Sequence, residues 1–265
     1  MQGLRILYLE TLFTKTLKQE NMEIMWLIYS LLLAVVNAQS PCDGVSFVDR
    51  GGWGAREPFE IQNLTRKPLS FYMIHHESEI ATKCYDDDSC IEQVQNIQYN
   101  HQNRLDYVDI GYHFLVGENG KVYEGRGWDR QGAHSTGWNK DSFGICIIGN
   151  FNTASPNAKT LKAVRSWIEC GVERGHVKEN YYIITHQQSQ SPGLTKGPGN
   201  GALDIVRKWP RYCSFENSGE FPRVNDIVIS RALNFCKEEF SASSTASTYL
   251  IEPMISFCLL LIYYL

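Results

Sequence analysis

Two short sequences, YMIHH at residues 72–76 and YIITH at residues 182–186, decide the fold of this chain. Each is an apolar run that ends on histidine, and its length and composition are those of a buried β-strand. Histidines held on rigid strands are the usual framework of a zinc site or of a polar groove. We therefore expect the ends of these two strands to frame the functional site.

Strand and helix patterns alternate along the chain on both sides of these histidines. Strands are predicted at residues 71–76, 112–116, 121–124, 143–148 and 181–185, and the Asn-Gly pair at residues 119–120 indicates a hairpin. Helices are predicted at residues 89–102, 157–174 and 202–208, with Ser89 as the N-cap of the first. Central strands covered by helices form an α/β or α+β layered fold.

The first residues have the composition of a secretory signal. An apolar run at residues 24–36 is followed by small side chains up to Ala38, which is the expected cleavage position. We interpret residues 1–38 as a signal peptide, with Met22 as an alternative start. The other interpretation is an uncleaved signal anchor, although the run is shorter than the ~20 residues that a membrane span needs.

The last residues, 241–265, carry a second targeting pattern. Small polar residues at 241–247 precede Pro253 and an almost wholly apolar stretch at 254–265. This order is the signature of a GPI-anchor signal, with the attachment residue near Ser243. A C-terminal membrane tail is the alternative. We expect the mature protein to be secreted or to be held on the extracellular face of the plasma membrane.

One domain, 42–213, and a C-terminal extension, 214–240, lie between these ends. The net charge of −4 implies no general affinity for nucleic acid or anionic membranes. The extension has an apolar pattern that fits either a docked helix or a stalk. The sequence leaves the oligomeric state open.

The chain has eight cysteines, for which an oxidising compartment makes disulfides the default. Cys84 and Cys90 are close enough in sequence to form a local bridge. Cys213 and Cys236 flank the extension and are candidates for a bridge that closes it. Cys146 lies in an apolar strand and is expected to be a buried free thiol. A glycosylation sequon begins at Asn63.

A set of motifs in fixed order resembles the peptidoglycan recognition protein family and, more distantly, the phage-type N-acetylmuramoyl-L-alanine amidases. The motifs are DRGGWGA at 49–55, IHH at 74–76, DIGYHF at 109–114, VYEGRGW at 122–128, GAH at 132–134, GICIIGN at 144–150 and WP at 209–210. The resemblance runs from about Val45 to Tyr212. It implies a mixed central sheet flanked by helices, a surface groove, and disulfides Cys84–Cys90 and Cys42–Cys170.

The resemblance also implies a zinc site in the family's amidases, built from two histidines and one cysteine with an open position for water. His75 and His186 match the two histidines, and Tyr112 and Thr195 match the tyrosine and the threonine that assist catalysis. The position of the cysteine is occupied by Gly197.

An insertion between His186 and Gly197 allows a second alignment, which places Ser191 at the ligand position. Neither alignment supplies a thiolate, and two imidazoles alone hold zinc weakly. The sequence therefore leaves zinc and enzyme activity in doubt.

The resemblance implies that a bacterial peptidoglycan fragment binds in the groove. The expected ligand-binding residues are His76, His101, Tyr107, Tyr112, His134 and Asn139. Their imidazole, phenol and amide groups suit a glycan-linked peptide stem. The resemblance links preference for the stem to the dipeptide before DIGY, which is Asp106-Tyr107 here. The carboxylate of Asp106 favours lysine-type over diaminopimelate-type stems.

The predicted function is an innate immune pattern-recognition protein with weak or no amidase activity. The alternative is a zinc-dependent N-acetylmuramoyl-L-alanine amidase that degrades peptidoglycan.

Overall fold

The computed structural model describes Trp26, residues 40–217 and residues 226–242. The chain divides into two compact units, Met1–Asp43 and Gly44–Leu265, and the fold below is that of the second unit. The predicted signal peptide and almost all of the predicted anchor signal lie outside the described residues. None of the helices in the described ranges is long and apolar enough to cross a membrane.

A six-stranded mixed sheet forms the centre of the second unit, in agreement with the predicted fold class. Its strands are β1 (Phe47–Val48), β2 (Leu69–Glu77), β3 (Phe114–Val116), β4 (Val122–Glu124), β5 (Ser142–Ile148) and β6 (Val177–Thr185). They lie in the order β1-β4-β3-β5-β2-β6. Only the predicted hairpin, β3 with β4, pairs antiparallel, while the other neighbours pair parallel.

Three helices of this unit begin and end close to the predicted positions: α1 (Asp87–Arg104), α2 (Ala158–Glu173) and α4 (Asn200–Val206). The single turn α3 (His186–Ser189) was not predicted. A further helix, α5, covers residues 226–242. The prediction that Ser89 caps α1 is wrong, because Asp86 is the N-cap and accepts a hydrogen bond from the Ser89 amide at 2.8 Å. Ser89 occupies the third position of the resulting capping box.

Helices cover both faces of the sheet, because alternate side chains of each strand point to opposite faces. On β3, Leu115 joins the apolar cluster of α1 residues such as Val94 and Ile97. The preceding residue, Phe114, instead contacts Trp167 of α2, with ring centroids 5.0 Å apart. The sheet is therefore buried on both sides, which explains the continuous apolar runs of its parallel strands.

The C-terminal extension is a docked helix. Residues of α5, including Val228 and Ala232, pack against Phe71 and Met73 at the start of β2. A disulfide between Cys213 and Cys236 ties α5 to the domain, as predicted. Since Phe71 and Met73 share a face of β2 with His75, α5 covers the sheet beside the histidines.

The remaining cysteines also follow the predictions in large part. Cys84 and Cys90 are bridged, with a Cα–Cα distance of 4.9 Å. Cys146 is a buried free thiol. Cys42 and Cys170 are each disulfide-bonded, and their pairing with one another stays a prediction.

Candidate functional site

The two histidine-bearing strands meet at their carboxyl ends. β2 and β6 pair in parallel with Ile74 opposite Thr185, so His75 and His186 emerge from the same edge of the sheet. Their ring centroids lie 4.4 Å apart. The expectation that these strands frame one site is therefore consistent with the register of the sheet. Ligand sites of open α/β sheets form at this edge, beyond the carboxyl ends of the strands.

His134 joins these rings through a chain of hydrogen bonds. Its Nε2 lies 3.2 Å from the carbonyl oxygen of Ser142 and its Nδ1 lies 3.0 Å from Nε2 of His75. The carbonyl can only accept, which places the proton of His134 on Nε2 and leaves Nδ1 as an acceptor. His75 therefore donates from Nε2. Gly144 makes room for the His134 ring, since a Cβ there would lie 2.5 Å from Cγ of His134.

Nδ1 of His186 faces residues 195–197, the segment where the family resemblance predicts a third zinc ligand. Nδ1 of His186 lies 3.2 Å from Oγ1 of Thr195, which also accepts the amide of Gly197 at 3.2 Å. The Gly197 carbonyl accepts from the Gln187 amide at 2.7 Å. These bonds fix Gly197 beside the His186 ring. Which of Gly197 and Ser191 corresponds to the family's cysteine stays a prediction.

The donor set does not fit the zinc that the sequence pattern suggests. A catalytic zinc site needs three protein ligands, and Gly197 contributes no side chain where the thiolate would be. His134, the third imidazole nearby, already uses both ring nitrogens within the protein. Among the residues that the structure describes, no group of three His, Cys, Asp or Glu side chains is placed to hold a metal.

Tyr112, the predicted catalytic tyrosine, is buried beside these histidines and bound to a carboxylate. Its hydroxyl donates to Oε2 of Glu77 at 3.0 Å. His101 accepts the Gly111 amide at Nδ1 over 2.9 Å, so its proton is on Nε2, which lies 3.9 Å from the same Glu77 oxygen. His101 is therefore neutral, and its approach to Glu77 is a weak polar contact rather than an ion pair.

A groove runs over these side chains and has two parts. The part next to α1, which we call the helix half, has a volume of ≈ 280 Å³. The other, the loop half, has a volume of ≈ 380 Å³. Tyr107, Ala133, His134 and His186 line both halves, which makes the groove continuous across the histidines.

Both halves mix polar with apolar side chains. The helix half adds Glu77, Glu79, Ile80, Asn100, His101, Arg104, Leu105 and Tyr112. The loop half adds Ser135, Thr136, Asn139, Gln190, Leu194 and Thr195. This lining suits a ligand that carries both sugar or amide groups and methyl groups.

Burial keeps the imidazoles of the groove neutral. It lowers the pKa of His134 to about 3 and the pKa values of His101 and His186 to about 4. Burial also lowers the pKa of His75 well below its usual value, and the neighbouring His186 lowers it further. For Glu77, burial raises the pKa, while the hydrogen bond from Tyr112 acts against this shift. At neutral pH these rings are donors and acceptors rather than cations.

Most of the predicted site residues line the groove. Tyr107, Tyr112, His101, His134, Asn139, His186 and Thr195 all line it. His76 is not among the lining residues in the described part of the chain, because it follows His75 on β2 and points to the opposite face. Its Nδ1 accepts the Phe151 amide at 3.1 Å. Its predicted role in ligand binding is not supported by this placement.

Sequence reasoning missed two parts of the groove. Glu77 is two residues after His75, so strand alternation alone would have placed it on the same face. Gln190 and Leu194 lie in the insertion before Gly197, and Gln190 donates to the hydroxyl of Ser135 at 2.6 Å. The insertion therefore forms a wall of the loop half, which only its folded position reveals.

The chain matches a known protein family and several of its members. Residues 65–200 match the family model described as N-acetylmuramoyl-L-alanine amidase. A peptidoglycan recognition protein of Trichoplusia ni is 39% identical over 188 residues, which are 71% of this chain and 98% of that protein.

Solved structures show the same likeness. Bumblebee PGRP-SA superimposes with a TM-score of 0.61 at 34% identity, covering 64% of this chain and 99% of that one. The ectodomain complex of peptidoglycan recognition proteins LCa and LCx, with tracheal cytotoxin bound, gives a TM-score of 0.60 at 34% identity, covering 63% and 98%. By sequence and by fold, the chain belongs to the peptidoglycan recognition protein family.

Proposed function

We propose that this protein is a peptidoglycan receptor of innate immunity that binds cell-wall fragments in its groove without hydrolysing them. The single observation that carries the second part is Gly197, whose backbone lies beside His186 where a zinc thiolate would be needed. The first part rests on family membership and on the groove. A relative was solved with tracheal cytotoxin bound, and this chain has a continuous groove across His134 and His186.

The groove offers the contacts that a muramyl peptide requires. Amide and hydroxyl groups of Asn139, Thr136 and Gln190 in the loop half can hydrogen-bond to sugar hydroxyls and peptide carbonyls. Exposed apolar side chains stand in each half, Leu194 at 71% exposure and Leu105 at 53%. They can cover the methyl groups of lactyl and alanyl units, and Tyr107 between them presents an aromatic face.

In the described part of the chain, the groove residues can bind and orient a ligand, but they include no complete ligand set for a metal that would activate water. Tyr112 is held by Glu77 and Thr195 is held between His186 and Gly197. Neutral imidazoles can accept protons, yet no Lewis acid has a complete ligand set here. The zinc amidase is the alternative function, and it would require a third ligand from outside the set that Gly197 interrupts.

We also propose that the protein acts outside the cell. Two disulfides with defined partners, Cys84–Cys90 and Cys213–Cys236, are typical of an oxidising compartment. The proposed arrangement is secretion through the signal at residues 1–38, followed by lipid anchoring near Ser243. Phospholipase C treatment of expressing cells tests the anchor, because it releases GPI-anchored proteins and leaves a transmembrane tail in place.

Binding without hydrolysis is tested with purified protein and insoluble peptidoglycan, with and without added zinc. We expect the protein to sediment with peptidoglycan and the supernatant to contain no muropeptides by mass spectrometry. A Tyr107→Ala variant should lose retention, while Tyr85→Ala, which removes an exposed tyrosine outside the groove lining, should keep it. Zinc-dependent release of muropeptides would establish the amidase instead, and absence of retention would contradict both functions.

A further inference from the structure

Glu77 places a carboxylate inside the ligand groove, and the proposed function does not yet use it. We infer that Glu77 binds a primary ammonium group on the peptide stem and so selects stems that carry a side-chain amine. This inference rests on the proposed function, since it assigns one contact within the same groove. Glu77 is thereby assigned a role in ligand specificity, and this role involves no chemical step.

The position of Glu77 follows from the sheet. It is the last residue of β2 and lies on the same face as His75, because side chains two residues apart on a strand share a face. The residue is 9% exposed and lines the helix half of the groove. Its Oε2 accepts the Tyr112 hydroxyl at 3.0 Å, and its Oε1 lies 3.5 Å from the Glu79 amide. The carboxylate is thus held in place by neutral donors only.

No cation of the described chain neutralises this carboxylate. Lysine and arginine make no ion pair with Glu77 in the described ranges, and His101 at 3.9 Å uses Nδ1 as an acceptor and is neutral. Arg104 lines the same half but is exposed to solvent. By contrast, the buried carboxylate of Asp109, outside the groove, has Arg50 at 3.0 Å and Arg130 at 3.7 Å. Glu77 is the buried groove carboxylate that lacks such a partner.

A second acceptor in the helix half points to the same kind of ligand. The side-chain oxygen of Asn100 is buried and has no hydrogen-bond partner within the described residues, while its amide nitrogen donates to Asn96 at 2.8 Å. Buried acceptors nearly always have a hydrogen-bond partner, which is a protein group, a water molecule or a bound ligand. The oxygens of Glu77 and Asn100 are both acceptors, and they are best complemented by a donor that has several N–H bonds and a positive charge. An ammonium group has three such donors and no acceptor.

The surroundings of Glu77 predict that its contact with an ammonium group is favourable. A charge-assisted hydrogen bond in a partly dehydrated groove is stronger than one in water. An acetylated amine offers one N–H and no charge, so it leaves the carboxylate without a counter-ion. A stem with an additional carboxylate at the same place would meet Glu77 as a like charge. The groove should therefore bind a stem most tightly when the side chain beside Glu77 is positively charged, less tightly when it is neutral, and least tightly when it is negatively charged.

The test compares two synthetic muramyl tripeptides that differ only at the third residue, which is lysine in one and Nε-acetyl-lysine in the other. Isothermal titration calorimetry with the unmodified protein is expected to give affinity for the lysine peptide at least about tenfold higher. Glu77→Gln, which retains an acceptor for Tyr112, should lower affinity for the lysine peptide and make the two peptides equal. Glu92→Gln removes an exposed charge on the same helix as His101, outside the groove lining, and should keep the difference.

The outcomes separate this inference from the proposed function. Equal affinity of the unmodified protein for both peptides would overturn the role of Glu77 and leave peptidoglycan binding intact. Persistence of the difference in Glu77→Gln, with an unchanged circular dichroism spectrum, would overturn it as well. Failure of both peptides and of insoluble peptidoglycan to bind would refute the proposed function itself. The comparison within unmodified protein does not depend on whether a variant folds.

Discussion

A Cβ atom at position 197 would lie 3.3 Å from Nδ1 of His186. Any side chain introduced at residue 197 would therefore project toward that imidazole, and Gly197 is not in a left-handed conformation that only glycine favours. On the alignment that places Gly197 at the cysteine position, the change is therefore local to one residue beside His186. This relationship allows the missing zinc ligand to be restored by one substitution.

Gly197→Cys should create a zinc site from His75, His186 and the new thiolate. Loss of even an outer-shell partner changes metal affinity by 10–100-fold, so a third direct ligand should raise zinc affinity by at least about tenfold. Zinc per mole of protein, measured by mass spectrometry after dialysis, checks this. Ser191→Cys, from the second alignment, is the matched control and should leave zinc content low. Equal zinc content in both variants would show that position 197 is not the ligand position.

The disulfide of the extension should stabilise the domain more than the local disulfide does. Cys213 and Cys236 close a loop of 23 residues, whereas Cys84 and Cys90 close one of 6. On chain-entropy grounds, removing the first bridge by a double alanine substitution should cost about 3 kcal/mol and removing the second about 2 kcal/mol. Urea denaturation measures both. A smaller loss for the long loop would mean that α5 is held mainly by its apolar contacts.

Asp109 should be a strong determinant of stability next to the groove. It pairs with Arg50 at 3.0 Å and accepts from Gln98 at 2.7 Å, and its side chain is only 3% exposed. Asp109→Asn removes the charge that two arginines share, which should cost about 2–3 kcal/mol in the free energy of unfolding. Asp204→Asn is the matched control, because its pair with Arg207 is exposed and should contribute less than about 0.5 kcal/mol. Similar losses in both variants would contradict this ranking.

Stability should fall as the pH drops below about 6.5, where histidines of the unfolded chain begin to bind protons. Burial lowers the pKa of His101 to about 4 and the pKa of His113 well below its usual value. Their Nδ1 atoms accept the amides of Gly111 and Gly144, and protonation would remove these hydrogen bonds. Because the folded-state pKa is depressed, the contribution of each ring is complete above pH 6.5 and is lost toward pH 4.

Chemical denaturation between pH 7.5 and 5 measures this loss, which is about 1.4 kcal/mol per pH unit for each histidine once the unfolded ring is protonated. His101→Gln should have a shallower slope, since an amide does not titrate in this range. Burial raises the pKa of the Glu77 and Asp141 carboxyls, which acts in the opposite direction and offsets part of the loss. A free energy of unfolding that stays constant down to pH 5 would contradict the neutral state of these rings.

The fold could be predicted largely from local patterns. Alternation and apolar runs marked the long strands, and the 3.6-residue period marked α2, which was predicted at residues 157–174 and begins after the N-cap Asn157. The two-residue strand β1 and the single turn α3 were not predicted. Such short elements exist because neighbouring strands and side chains hold them, and they carry too few residues for a periodic signal.

The sequence predicted which types of residue form the site, but it predicted their spatial arrangement only in part. His75, Tyr112, His134 and His186 come together as motif order suggested, because parallel strands bring their carboxyl ends to one edge. The placement of His76 away from the groove depends on which face of β2 is covered. Its face packs against α2, where the hydroxyl of Tyr72 donates to the carbonyl of Ile168 at 3.1 Å.

The sequence by itself determined the histidine-ended strands, the family motifs and the glycine at position 197. Each of these is written in consecutive residues or in a fixed spacing. Three relationships appear only in the tertiary structure: the glycine lies beside His186, Glu77 lines the groove with no Lys or Arg ion pair among the described residues, and α5 covers the start of β2. These relationships join residues far apart in the chain, and they follow from packing and strand register, which no local pattern encodes.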